Sequence, residues 1–200
     1  MPTLTMLALC TSLLMAGISS FQLSHPNPNE ATRLVAPISP DNHAIPQLIS
    51  DSSAIVPGKP FTLAIHFKID DGWHLYHPSE DNPGMEPNVK WTLPDGITAG
   101  NFQYPPSHRN ETPAGVERVY EDELVLLVDF KVDENVAVDQ TISIEAKLKW
   151  LCCRDDQCKP EKADLEIDLP TAASSSPNRS EDFLRWREAV RANQEANSNH

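Results

Sequence analysis

Three cysteines crowd into the run Trp150-Leu151-Cys152-Cys153-Arg154-Asp155-Asp156-Gln157-Cys158-Lys159-Pro160, so sulfur chemistry is the first chemistry this chain offers. The residues in front of the run separate them by parity. Ile142, Ile144, Ala146, Leu148 and Trp150 form an apolar series of period two that continues to Cys152. Cys152 therefore reads as a small buried hydrophobe, and Cys153 faces the other way. Cys153 and Cys158 remain as a C-x4-C pair across a polar turn, near enough for a disulfide where that turn folds back as a hairpin. Two readings of the pair stand side by side. A staple over so short a loop contributes only about 2 kcal/mol, which is small beside a full-sized core. A local surface disulfide is also what exchange requires, because a partner thiolate must reach a sulfur in line. Arg154 beside Cys153 and Lys159 beside Cys158 favour a thiolate, while Asp155 and Asp156 oppose one at both.

Other chemistries find less to work with. A structural zinc site wants four Cys or His ligands with spaced pairs, and vicinal cysteines do not easily both ligate. Copper could recruit His74, His77 or Met85 together with sulfur. No sequence feature marks a converging nucleophile, base and orienting acid. Neither G-x-G-x-x-G nor G-x-x-x-x-G-K occurs, which argues against a nucleotide cofactor. The net charge of −13, from 29 acidic and 16 basic residues, repels polyphosphate and argues against nucleic acid as a partner.

The elements that must position the cysteines follow from periodicity. Eighteen prolines against seven glycines do not suit a helical bundle, since proline breaks helix interiors and is tolerated at turns and edge strands. In Phe61-Thr62-Leu63-Ala64-Ile65-His66-Phe67-Lys68-Ile69 every odd residue is large and apolar, the mark of a half-buried strand. The pattern returns at Leu124, Leu126, Val128, Phe130 and Val132, along the series ending at Trp150, and at Ala163, Leu165, Ile167 and Leu169. Shorter strands are expected at Trp73 to Tyr76, Val89 to Leu93 and Phe102 to Tyr104, separated by Pro57-Gly58, Asp71-Gly72, Pro83-Gly84 and Pro94-Asp95-Gly96 turns. The fold class is all-β, an immunoglobulin-like antiparallel sandwich lacking that fold's usual Cys…Trp…Cys spacing, with a short C-terminal helix.

The ends divide as follows. Residues 1–20 read as a secretory signal, with an apolar run from Leu4 to Ile18 and small Gly17 and Ser19 before the cleavage point; retention as an uncleaved anchor is the alternative. Residues 21–43 read as a Pro/Asn-rich tether, 44–170 as the sandwich, 171–179 as a linker, and 180–200 as a helical tail. Phe183, Trp186 and Val190 give that helix a short apolar stripe, suited to resting on the sandwich.

Taken in order, Pro57-Gly58-Lys59-Pro60-Phe61, Asp71-Gly72-Trp73-His74-Leu75-Tyr76, Val89-Lys90-Trp91-Thr92-Leu93-Pro94-Asp95-Gly96, Tyr104-Pro105-Pro106, Val119-Tyr120-Glu121-Asp122-Glu123-Leu124 and the cysteine run resemble the N-terminal domain of the thiol:disulfide interchange protein DsbD, also called the disulfide bond corrector domain. The resemblance covers roughly residues 45–170. It implies a periplasmic module whose cysteine pair, here Cys153 and Cys158, takes electrons from a thioredoxin-like domain and passes them to oxidised exported clients, with no cofactor and no metal. It also implies that partners reach Cys158, and that Trp73, His74 and Tyr76 stand beside the cysteines as substrate-facing side chains. The stretch matching the family's cap loop, Asn110-Glu111-Thr112-Pro113-Ala114, carries no aromatic residue. Full-length members continue into a membrane domain and a thioredoxin-like domain, so the resemblance implies a chain that takes electrons from another polypeptide, a separate membrane protein among the candidates, or one that has lost reductase work altogether. A non-catalytic exported binding module with a structural disulfide is the competing class.

Overall fold

The computed structural model describes residues 32–78, 86–112, 115–155 and 157–198. The expected signal over residues 1–20, Met85, and Pro113 and Ala114 of the cap-loop stretch lie outside these. Eleven strands and one helix are described: β1 (Thr32–Leu34), β2 (Ala44–Ser50), β3 (Phe61–Ile69), β4 (His74–Tyr76), β5 (Asn88–Thr92), β6 (Ile97–Ala99), β7 (His108–Thr112), β8 (Gly115–Tyr120), β9 (Glu123–Val132), β10 (Thr141–Arg154), β11 (Gln157–Pro170) and α1 (Ser180–Ser198). They build an antiparallel immunoglobulin-like sandwich. One sheet runs β1-β11-β10-β4-β8-β7 with β5 also on β10, and the other runs β2-β3-β9-β6.

The core lies where the two alternating faces meet. Phe61, Leu63, Ile65 and Phe67 of β3 and Leu124, Leu126, Val128 and Phe130 of β9 pack against Ile142, Ile144, Leu148 and Trp150 of β10 and Leu165, Ile167 and Leu169 of β11. Each of these series is the one its period-two pattern expects. The second sheet is covered on its outer side too. Phe183, Trp186 and Val190 of α1 bury Ile49, Ala64, Val125 and Leu127, so the helix rests on β2, β3 and β9. This accounts for the unbroken apolar run Leu124–Val128, which a strand open to solvent on one face would not carry.

Several expected boundaries differ. Thr32–Leu34, inside the stretch read as a tether, pair with Ile167, Glu166 and Leu165 of β11. Residues 171–179, read as a linker, are tied down: Thr171 bridges Ile55, Ser53 Oγ lies 3.0 Å from Ser176 Oγ, and Asn178 donates to the Ser50 carbonyl at 3.1 Å. Polar Ser, Thr and Asn side chains there satisfy backbone groups instead of leaving a loose coil. The strand expected at Phe102–Tyr104 is reduced to one bridge between Gln103 and Leu127, because Pro105 and Pro106 follow and offer no N–H to extend a ladder. The β7–β8 hairpin, rich in polar residues, carries no alternation that the sequence could announce.

Candidate functional site

β10 and β11 form one long hairpin in register from Thr141↔Pro170 to Arg154↔Gln157, and the cysteines sit at its tip. Asp155 turns the chain there with φ 52, a left-handed conformation that aspartate tolerates better than most residues. Cys153 and Cys158 stand directly opposite each other, bonded with S–S 2.02 Å. The parity reading holds, because Cys152 is wholly buried in the main core whereas Cys153 packs on the other face with Tyr76, Val119 and Leu151. The two bonded residues differ in access. Cys153 has 0% exposure, while Cys158 is exposed on β11.

β4 lies on the far side of β10 from β11, pairing Leu75 with Cys152 and His74 with Cys153. Gly72 delivers the chain to it through a turn at φ 75, where a side chain would be strained. His74 and Tyr76 thus fall on the disulfide's face, where His74 Nε2 lies 3.3 Å from the Tyr76 hydroxyl. Trp73 does not. It is buried on the core side, with the His43 ring stacked on it at 3.7 Å, Arg154 at 4.9 Å and Lys159 at 5.4 Å from its centroid. The two cations that flank the cysteines in sequence are therefore turned to Trp73, on the face opposite the disulfide. Of the copper candidates, His74 sits with Tyr76 and His77 against Tyr104 and Tyr120, so the two imidazoles do not converge.

Burial sets the protonation states. The Cys152 thiol is pushed up to about 12, first by desolvation and further by Glu161 and Asp70, which keeps it an inert thiol. Under native oxidising conditions an alkylating reagent is expected to label none of Cys152, Cys153 and Cys158. After mild reduction it should label exposed Cys158 first, sealed Cys153 only slowly and Cys152 not at all, and a peptide map with label on native Cys152 would contradict this. Burial also lowers His74 and His77 below the ordinary 6.5, although Glu117, Glu121 and Asp155 pull His74 back up in part. The unfolded chain then binds more protons than the native one as pH falls through the range below about 6.5, so stability is lost on acidification there. Urea midpoints measured at neutral pH and at about pH 5 should show a smaller acid loss in His74→Gln than in the parent.

Glu161 and His43 are the residues sequence reasoning missed. Glu161 is buried, and its carboxylate accepts from the backbone N–H of His43 at 2.7 Å, from that of Ala44 at 3.1 Å and from Trp150 Nε1 at 2.8 Å. The signal was present, since stepping back two residues from Ala163 along the inward series puts an acid on the core face. His43, last residue of the supposed tether, bridges Asp70 and Lys159 at 3.0 Å each, and no local pattern marks it.

The family described as "Thiol:disulfide interchange protein DsbD, N-terminal" matches residues 46–170. The N-terminal periplasmic domain of ScsB from Proteus mirabilis superposes with a TM-score of 0.55 at 18% identity, over 80% of this chain and 58% of that one, so the chain spans little more than half of that structure. The reduced DsbD N-terminal domain of Neisseria meningitidis gives 0.40 at 18% identity over 72% of this chain and 96% of that one. The same organism's DsbD domain in complex with the PilB N-terminal domain gives 0.39 at 19% identity, over 72% and 94%. No curated protein sequence matches.

Proposed function

Because the chain belongs to the family of DsbD N-terminal domains, a family of thiol-disulfide exchange, we propose that it relays electrons from a thioredoxin-like donor to oxidised exported proteins through Cys153 and Cys158. The observation that carries this reading is the unequal access of the two bonded cysteines, one sealed and one exposed. A staple gains nothing from that inequality. An exchange centre needs it, because it directs attack to one sulfur and holds the leaving thiolate where only its partner can return.

In the accepting step a donor thiolate attacks Cys158 Sγ, the Cys153–Cys158 bond breaks, and its electron pair leaves on Cys153. The donor's second thiolate then attacks its own sulfur in the mixed disulfide and releases Cys158. The donor ends as a disulfide, and two electrons and two protons rest on the dithiol. In the delivering step the Cys158 thiolate attacks a client disulfide and Cys153 resolves the product, so the client gains what the domain loses. No cofactor enters this scheme. Leu151, Val119 and Tyr76 cover Cys153 on the exchange face, while His74 and the Tyr76 hydroxyl are the polar groups beside it.

The periplasm is the compartment proposed, since the Proteus relative is a periplasmic domain and a reversible disulfide needs both oxidants and a reducing supply. No described helix is long and apolar enough to cross a membrane. The test is the reduction potential of the pair against glutathione or dithiothreitol. An exchange pair is expected above about −300 mV, and a value well below that would return the disulfide to a structural role and favour a binding module.

A further inference from the structure

The outer face of the β10–β11 hairpin carries a graded surface leading away from the disulfide. Residues directly opposite one another in an antiparallel ladder share a face, so the register orders it into rows. Behind Cys153↔Cys158 comes Leu151↔Pro160, then Lys149↔Lys162 with Asn88 of β5 on the far side of Lys149, then Lys147↔Asp164 with Lys90 beside Lys147. All four lysines are exposed. None of them forms a salt bridge among the described residues, although the chain has a net charge of −13 and acids to spare. Lys149 and Lys162 are like charges placed face to face, an arrangement that weakens a sheet. Lys147, Lys149 and Lys162 also line a groove of about 1120 Å³ bordered by Ala36, Pro37 and Asp41.

On the other flank of the disulfide the charges acting on His74 are acidic, from Glu117, Glu121 and Asp155. The exposed sulfur therefore sits on a boundary between a basic and an acidic flank. At about 3.4 Å per residue, Lys149 and Lys162 lie roughly 14 Å along the hairpin from the cysteines. A protein partner that buries about 800 Å² here has a footprint about 16 Å in radius, so one seated on Cys158 covers both.

We propose that Lys149 and Lys162 form a docking surface for the acidic face of a thioredoxin-like partner, fixing its orientation as its cysteine meets Cys158, and that Lys147 and Lys90, roughly 20 Å along the hairpin, extend the attracting field at encounter. This rests on the exchange reading above. The lysines act on encounter, through long-range attraction and exclusion of the reversed pose, and take no part in sulfur chemistry.

The experiment compares the parent with Lys149→Glu/Lys162→Glu, in full chains whose thermal unfolding is measured alongside. Reduction of the oxidised form is followed with reduced thioredoxin, an acidic protein, and separately with dithiothreitol. The charge-reversed variant is expected to lose about tenfold in the thioredoxin rate at low salt. The gap should close to about twofold near 0.5 M salt, where the screening length is a few ångströms. Dithiothreitol rates should match throughout. Equal thioredoxin rates in the two proteins at low salt overturn the docking surface and leave exchange standing. Equal slowing with dithiothreitol overturns it as well, by placing the effect on the disulfide itself. Binding of the parent but not the variant to phosphatidylglycerol vesicles, with thioredoxin rates unchanged, assigns the lysines to a lipid surface instead. A parent that thioredoxin does not reduce but dithiothreitol does overturns both the exchange reading and this one.

Discussion

Cys158→Ser is expected to abolish exchange with protein partners, whereas Cys153→Ser is expected to leave the first attack intact and trap its product. Both variants lose the disulfide, so loss of a staple alone would make them equivalent. The structure makes them different, because Cys158 is exposed at the hairpin edge while Cys153 is sealed beneath Tyr76, Val119 and Leu151. In Cys153→Ser the Cys158 thiolate can still open a client disulfide, yet no second thiol of the domain stands within reach to resolve the product. Intramolecular groups held in place act at effective molarities of about 10⁵ M or more, so removing one slows forward resolution by at least about 10³-fold. A mixed disulfide at Cys158 should therefore accumulate and appear as a mass adduct on a non-reducing gel. The measurement is adduct formation with a thioredoxin-like domain whose second active-site cysteine is replaced by serine and whose remaining thiol is activated as a thionitrobenzoate mixed disulfide, so that no partner thiol can release the adduct; adducts forming equally on Cys153 in Cys158→Ser would reverse the assignment. Cys152→Ser serves as the contrast, leaving exchange intact while a buried hydroxyl in place of the thiol costs about 1–3 kcal/mol.

The largest stability effect is expected away from sulfur, at Glu161. Its carboxylate joins three donors drawn from distant parts of the chain: the backbone N–H groups of His43 and Ala44, and the indole N–H of Trp150. Ala44 and Trp150 are both buried, so no water stands ready to replace the acceptor. Glu161→Ala leaves the two buried donors stranded at about 1–3 kcal/mol each, together at least about 2 kcal/mol, a large share of a typical domain's stability. Glu161→Gln keeps one acceptor oxygen but turns an NH2 toward N–H groups, and should fall between alanine and the parent. Urea denaturation is the measurement, and an alanine variant within about 0.5 kcal/mol of the parent would show that the three donors do not depend on this side chain. The network also joins the start of β2 to the hairpin near the cysteines, so Glu161→Ala should loosen the hairpin tip first.

How much of this was legible depends on range along the chain. Alternation is a local property, and Ile142 to Trp150, Phe61 to Ile69 and Ala163 to Leu169 each announce which side is buried within a single strand. That suffices for an all-β sandwich and for telling Cys152 from Cys153. A contact between segments far apart leaves no periodic trace. Nothing near His43 shows that it will stack on Trp73, and Trp73 itself, read as a neighbour of the cysteines, turns to the core because one step along a strand reverses a side chain. Thr32–Leu34 looked like tether because three residues are too few for a pattern, yet β11 offers an edge that accepts them.

The sequence by itself determined the fold class, the inward face of each long strand and the pairing partners within the cysteine run, since all three rest on spacing between near neighbours. Tertiary structure alone decided access and surroundings. Cys153 is sealed because β8 brings Val119 alongside Tyr76 of β4, and Cys158 stays open because, among the described residues, β1 meets β11 at Leu165, Glu166 and Ile167, away from the hairpin tip. The four lysines become one surface only when β5 joins β10 in register. Exposure and charge clustering are properties of which distant strands lie side by side, and burial of the core, not any local preference, selects that arrangement.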